Sequence, residues 1–199
     1  MLRFHILYII LSLPVYLIFV YLQQRKNNPK VYISLIFHGI FYIYVCYVIK
    51  YTLFPIPVNE NYLSLVRPGT TFKQNISMQP LWLSGHFSFT KEHALNILMT
   101  IPFGFIINYL IKPRGSARIL MLGVLVGICI ELIQFGISVL LNYPYRIIDS
   151  NDVVMNLTGV VAGYLIFRVI SSVYIRLVDT LHMKHNSFTQ YIYDCGKTY

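Results

Sequence analysis

The chain has 199 residues, 56% of them hydrophobic and only 12% charged, with a formal net charge of +9. Soluble globular domains carry about a quarter charged residues, so this balance excludes an ordinary water-soluble fold. The positive charge is spread over short turns between apolar runs, a distribution that reads as membrane topology and excludes a nucleic-acid footprint.

Five apolar runs follow in order, at residues 4–22, 31–49, 94–111, 119–141 and 153–170. Each is long enough to cross a hydrocarbon core of about 30 Å at roughly 1.5 Å per residue. The pattern predicts an all-α, polytopic helix bundle, a multi-pass protein of the cell membrane whose main partner is the lipid bilayer. No small-residue cleavage site follows the first run, so that run is expected to remain as a span. Residues 23–30, with Pro29, make a short polar turn, and the first two spans form an antiparallel hairpin. Pro55 and Pro57 are expected to end the second span, since proline cannot continue the hydrogen-bond ladder.

Residues 55–93 read as a loop on the far side of the membrane. They are too polar to span, but Leu81-Trp82-Leu83 and Phe87-Ser88-Phe89 suit the membrane interface. Pro113 and Gly115 turn the chain between the third and fourth spans, and residues 142–151 join the fourth to the fifth. Arg25, Lys26 and Lys30, then Lys112, Arg114 and Arg118, then Arg176, Lys184 and Lys197 all fall on one side of such a bundle. Lys50, Arg67, Lys73 and Lys91 lie on the other side, in or beside a long segment that weighs less in the positive-inside rule. That rule places the N-terminus outside and the C-terminus in the cytoplasm.

Cys46 and Cys129 lie within spans and Cys195 in the polar tail, so no disulfide is expected. His38 reads as a hydrogen-bonded neutral imidazole within the second span. His182 and His185 have no further ligands around them, so neither a metal nor another cofactor is expected.

Glu131 is the one charged residue between positions 119 and 141. A carboxylate inside a span is costly and faces the bundle interior or a water-filled cavity. Gly123, Gly127, Glu131 and Gln134, spaced by four, four and three, share a face of the fourth helix. Asp152, Asn156, Gly159 and Gly163, spaced by four, three and four, share a face of the fifth. Because the two helices are antiparallel, their glycines match in depth in one half of the membrane and their polar groups in the other. Gly-xxx-Gly spacing is expected to let the backbones approach. Arg146 and Asp149 lie overhead, Asn96 is near the end of the third span, and Pro102 with Gly104 offers a kink there. The result is an expected outward-facing polar pocket built from the third, fourth and fifth spans.

The string Ala94-Leu95-Asn96-Ile97-Leu98-Met99-Thr100-Ile101-Pro102-Phe103-Gly104-Phe105 resembles the third-helix signature of the VanZ-like family. Glu131-Leu132-Ile133-Gln134 and Arg146 continue the resemblance, followed by Asp149, Asp152, Asn156, Gly159 and Gly163. Tyr51-Thr52-Leu53-Phe54-Pro55 is similar to the family's preceding segment, and Gln79-Pro80 to its polar-proline element. The resemblance covers residues 45–170, leaving 1–44 as the start of an N-terminal hairpin and 171–199 as a polar cytoplasmic tail. It implies an integral membrane protein of the Gram-positive envelope and an association with teicoplanin resistance. It brings no defined reaction.

Each candidate has two readings. Glu131 is a proton carrier, a general acid or base, or a ligand for a cation or head group; alternatively, it is a hydrogen-bonded carboxyl that fastens helices. Gln134 orients Glu131 or packs against the fifth helix. Asp149 caps the fifth helix and Asp152 complements its dipole, or both join the site. Arg146 clamps a phosphate or carboxylate bidentately, or braces the loop by pairing with Asp149. Asn96 and Asn156 are interhelical hydrogen-bond partners. The leading functional expectation is a pocket for a lipid-linked or other cell-envelope ligand that affects glycopeptide susceptibility. The alternatives are an enzyme acting on a phosphorylated lipid and a small proton-coupled transporter. A zinc motif, a phosphate loop and a nucleophile–base pair are all lacking, which counts against the enzyme.

Overall fold

In hydrocarbon every backbone N–H and C=O must be bonded within the protein, so apolar runs of this length become helices. The spanning helices are α1 (Ile6–Gln24) and α2 (Val31–Leu53), then, beyond a short α3 (Glu60–Val66), α4 (Lys91–Leu110), α5 (Ser116–Leu140) and α6 (Ser150–Leu181). A final helix, α7 (Ser187–Lys197), follows. α1, α2, α4, α5 and α6 are long and apolar enough to cross a membrane, and the chain is a multi-pass membrane protein with an all-α bundle. The computed structural model describes residues 1–26, 30–71, 76–77, 89–111 and 115–198. Pro29, Lys73, Gln79-Pro80, Leu81-Trp82-Leu83, Phe87, Ser88, Lys112, Pro113 and Arg114 lie outside the described residues.

Local chemistry sets the helix ends. α2 stops at Leu53, and Phe54 takes the extended conformation that a residue before proline prefers (φ −101, ψ 153). α4 opens with a capping box: Thr90 accepts the His93 backbone N–H at 3.3 Å, while the Thr90 N–H donates to His93 Nδ1 at 3.2 Å. The Asp149 carboxylate caps α6, accepting the Asn151 N–H at 2.9 Å. Two-residue parallel strands, β1 (Ile76–Ser77) and β2 (Ile148–Asp149), pair immediately before that cap.

α6 is the spine of the bundle and packs against α4, α5 and α7, while α2 bridges α4 to the peripheral α1. The α4–α6 contact is backbone on backbone. A Cβ on Gly104 would lie 2.0 Å from the Val160 carbonyl oxygen, and one on Gly163 would lie 2.0 Å from that of Ile101. Across the same seam, Thr100 Oγ1 donates to the Asn156 carbonyl at 2.9 Å.

The glycine stripes therefore do not meet as expected. Gly123 and Gly127 of α5 receive Val153, Leu157 and Val160 of α6, whereas Gly159 and Gly163 face Ile97, Thr100, Ile101 and Phe105 of α4. At 3.6 residues per turn, the row 153, 157, 160 and the row 156, 159, 163 lie on adjoining faces of one helix. Each row serves a different neighbour.

α6 also runs to Leu181, well past the expected limit near residue 170. Charged side chains such as Arg168 and Arg176 interrupt the apolar run without breaking the helix. Beyond it α7 is amphipathic and folds back: Tyr191 and Cys195 are buried with Tyr109 and Phe167. Phe37 stacks on Tyr109 at 4.4 Å between centroids, and the Tyr191 hydroxyl donates to the Tyr109 carbonyl at 2.6 Å. Burial pushes the Tyr191 phenol up to about 12, with Cys195 adding to the effect. His38 donates from its ring to the Ser34 carbonyl at 2.8 Å.

At the other end, Leu2 and Ile56 form an antiparallel bridge. Arg67 donates to the Leu141 carbonyl from Nε at 3.2 Å and Nη2 at 2.8 Å, and pairs with Glu60. These contacts seat α3 on the end of α5, beside the cavity described next.

Candidate functional site

Where α2, α4 and α5 meet the segment leading into α6, they enclose a cavity of about 710 Å³. Glu131 and Gln134 reach it from α5, Asn96 from α4, Asp152 from the first turn of α6, and Arg146 from the connecting segment. Five of the seven polar pocket candidates thus line one space. Tyr51 and Thr52 contribute a wall from α2, so the cavity has a fourth helix beyond the three expected. Leu95, Leu98, Met99 and Ile130 make part of its lining apolar.

Glu131 is 8% exposed, and its Oε2 accepts the Asp149 backbone N–H at 3.3 Å. That donor belongs to the capping residue of α6, so the carboxylate sits at the positive end of a helix dipole. Gln134 does not orient Glu131: its Nε2 donates to the Thr52 carbonyl at 3.0 Å, tying α5 to the last turn of α2. Asp152 is near enough to Glu131 and Asp149 for mutual repulsion, and Asn96 stands within hydrogen-bonding reach of it.

Arg146 donates from Nη2 to the Phe54 carbonyl at 3.3 Å, and its guanidinium lies 5.9 Å from the Tyr145 ring centre. It pairs with neither Asp149 nor any other acid among the described residues. The Tyr145 hydroxyl is buried and has no hydrogen-bond partner among the described residues. Burial raises the pKa of that phenol, and Arg146 partly offsets the rise.

Two candidates do not line the cavity. Asp149 is spent on its cap, accepting from both the backbone N–H and the side-chain Nδ2 of Asn151, the latter at 2.7 Å. Asn156 is 1% exposed and turned into the α4–α6 seam, where its side-chain nitrogen and oxygen have no partner among the described residues. One turn along the helix separates it from Asp152, enough to move it from cavity to seam.

Three contributors carry no sequence signal of their own. Glu92 lines the cavity from the first turn of α4. His93, 6% exposed, is close enough to act electrostatically on Asp152. Its capping role escapes the usual Glu/Gln pattern because a histidine supplies the acceptor. Tyr145 looks like an ordinary interfacial aromatic until its hydroxyl is found buried.

Three carboxyls, Glu92, Glu131 and Asp152, share the cavity with the Arg146 cation. Such a set can hold a polar group by both charges at once and can move a proton between carboxyls. Among the described residues no group of His, Cys, Asp and Glu has an arrangement that would hold a metal ion. A family model described as VanZ/LLP1 matches residues 41–171. No curated protein and no solved structure matches the chain.

Proposed function

The chain belongs to the VanZ/LLP1 family, and from that premise we propose that it is an envelope protein whose cavity around Glu131 holds the polar head of an amphipathic, lipid-linked ligand. One observation carries the reading: Arg146, without an acidic partner among the described residues, shares the cavity with an unsatisfied Tyr145 hydroxyl. A buried hydroxyl left unpaired costs about 1–3 kcal/mol, and a ligand that accepts from it would recover that cost. The apolar part of the lining suits the lipid tail that follows the head.

On this reading the cavity opens outward. Arg25, Lys26, Lys30, Arg118, Lys184 and Lys197 belong to the opposite end of the bundle, which the positive-inside rule makes cytoplasmic. The Leu2–Ile56 bridge puts the first residues of the chain on the cavity side, in keeping with an external N-terminus. Residues 45–170 then form the working unit, flanked by the hairpin start at 1–44 and the tail at 171–199. By holding an envelope precursor the protein would change cell-wall properties and, through them, teicoplanin susceptibility in a Gram-positive host.

The test compares polyprenyl phosphate with the matching polyprenol on purified protein, following thermal unfolding in detergent. The phosphate should stabilise and the alcohol should not. Arg146→Gln should abolish the shift, and Arg146→Lys should weaken it, because an ammonium cannot reproduce bidentate donation. Equal shifts from both lipids, or an unchanged shift in Arg146→Gln, would sink the reading. Turnover of the phosphate would instead favour an enzyme that uses Glu131 and Asp152 as acid and base.

A further inference from the structure

The lining that α4 gives to the cavity around Glu131 does not stay on one face of the helix. Asn96, Met99, Leu95 and Leu98 all contribute to it. At about 100° per residue these four side chains follow one another round α4 through roughly 160°. Asn96 stands at the inner limit of the sweep, beside Asp152. Leu95 and Leu98 stand at the outer limit, 51% and 61% exposed on the flank of the bundle. The face with Ile97, Ile101 and Gly104 is closed against α6, so the sweep passes on the side of α2.

The fastenings of α2 leave room for it. The Tyr44 hydroxyl donates to the Met99 carbonyl at 2.8 Å, and the Phe41 and Phe103 rings lie 5.8 Å apart, joining α2 to α4 from Tyr44 toward the α7 end. Two turns further along, the end of α2 is held by other partners. Gln134 of α5 donates to the Thr52 carbonyl at 3.0 Å, and Arg146 donates to that of Phe54 at 3.3 Å. Beyond Tyr44 the cavity lies between the two helices, with Tyr51 and Thr52 on one side and Leu95 and Leu98 on the other. Tyr51, like the leucines, also faces outward. Leu98 is seven residues from Lys91, the start of α4, which places it about 10 Å into the span at roughly 1.5 Å per residue. That depth belongs to the hydrocarbon and not to its edge.

We infer that the gap between α2 and α4 is a lateral portal, through which the hydrocarbon chain of a membrane lipid leaves the cavity past Leu95 and Leu98 while its head stays with Arg146. The inference rests on the head-group reading above and narrows the ligand to lipids that bind without leaving their leaflet. A chain drawn wholly inside would lie against Glu131, Asp152 and Asn96, whereas a chain passing between the leucines keeps apolar surroundings along its length. A head group cut from its chain loses this part of the site. The competing route runs past Ile147, which is exposed and lines the cavity from the segment joining α5 to α6.

The experiment uses the full chain in lipid nanodiscs, with a polyprenyl phosphate that carries a photoreactive diazirine on the carbons nearest the phosphate. Peptide mass spectrometry after irradiation locates the adducts. They should fall on Leu95, Leu98 and Tyr51 and drop several-fold under competition by unlabelled polyprenyl phosphate. Thermal unfolding in detergent gives the second readout, comparing polyprenyl phosphate with a short, water-soluble prenyl phosphate. Leu98→Trp fills the gap, and should weaken stabilisation by the long lipid several-fold while keeping that by the short one. Leu132→Trp replaces an equally exposed leucine of α5 outside the cavity and should change neither.

Adducts on Ile147 in place of the leucines overturn the portal, as do adducts spread evenly over exposed side chains such as Leu132. An equal loss of stabilisation in the two tryptophan variants overturns it too. Arg146→Gln separates the two ideas: in each of those results phosphate stabilisation that still depends on Arg146 leaves the head-group reading standing. Stabilisation that ignores Arg146 overturns that reading and the portal with it. The adduct map needs no substitution, so it decides the matter if Leu98→Trp fails to fold.

Discussion

Glu131 and Asp149, 18 residues apart, meet through a single hydrogen bond: the Asp149 backbone N–H donates to Glu131 Oε2 at 3.3 Å. The Asp149 carboxylate meanwhile holds the first turn of α6. One acid starts the helix and the other steadies the residue that starts it. Glu131 therefore has a structural duty besides its place in the cavity wall, and substitution can separate the two.

Glu131→Gln keeps an acceptor oxygen of the same reach and removes the charge, so the protein should remain folded with little change in thermal unfolding. Glu131→Leu leaves the Asp149 N–H unpaired and should cost about 1–3 kcal/mol. If Glu131→Gln retains full ligand response in the polyprenyl phosphate assay, charge at this position has no part in binding or proton movement.

The α4–α6 seam makes a steric prediction. Gly163→Ala would press a methyl into the Ile101 carbonyl and Gly104→Ala into that of Val160, each at 2.0 Å. Both should lose several kcal/mol or fail to yield folded protein, at or beyond the upper end of ordinary overpacking costs. Gly136→Ala, with nothing within 4 Å of the new carbon, should be neutral or stabilising by up to roughly 1 kcal/mol. Comparable melting of all three variants in detergent would show that the helices do not touch as described.

Tyr145→Phe removes a buried hydroxyl that has no partner among the described residues. Stability should hold or rise, since nothing is left unpaired. Ligand-induced stabilisation should shrink in the same variant. A fall in intrinsic stability instead would mean that the hydroxyl is already satisfied in the free protein.

Alkaline pH should loosen α7. Burial raises the Tyr191 phenol to about 12, so the folded state holds that proton more tightly than the unfolded chain, whose phenol titrates near 10. The associated stability is fully present below about pH 10 and is lost as pH rises through about 12. Tyr191→Phe should give up the hydrogen bond to Tyr109, about 0.5–1.5 kcal/mol, and flatten this part of the pH profile. Limited proteolysis after residue 181 across pH 9–12 is the measurement.

The spans were legible because a bilayer leaves apolar runs few alternatives to helix, and Glu131 was legible because one charge in such a run is rare. The meeting of Glu131, Gln134, Asn96, Asp152 and Arg146 in one cavity follows from helical spacing and short connections. The bearing of Asn156 was not legible: one turn decides between cavity and seam, and spacing alone cannot say which neighbour a face will meet. The partner of Gln134 was hidden for the same reason, since Thr52 contributes a backbone carbonyl and not its side chain. α7 escaped notice because its polar composition masks the buried row of Tyr191 and Cys195. Its docking depends on Phe37, Tyr109 and Phe167, residues distant in sequence.

The glycine seam also fixes what can move. At Gly104, Gly159 and Gly163 the backbones of α4 and α6 approach too closely for a side chain to stand between them, so a slide of one helix past the other would drive backbone atoms into each other. Strain arriving at the cavity cannot dissipate by sliding α4 past α6. Between α5 and the end of α2 the fastening is of another kind: Gln134 holds Thr52 through one 3.0 Å bond. That tie is made by an amide of the cavity wall, so whatever occupies the cavity lies against it.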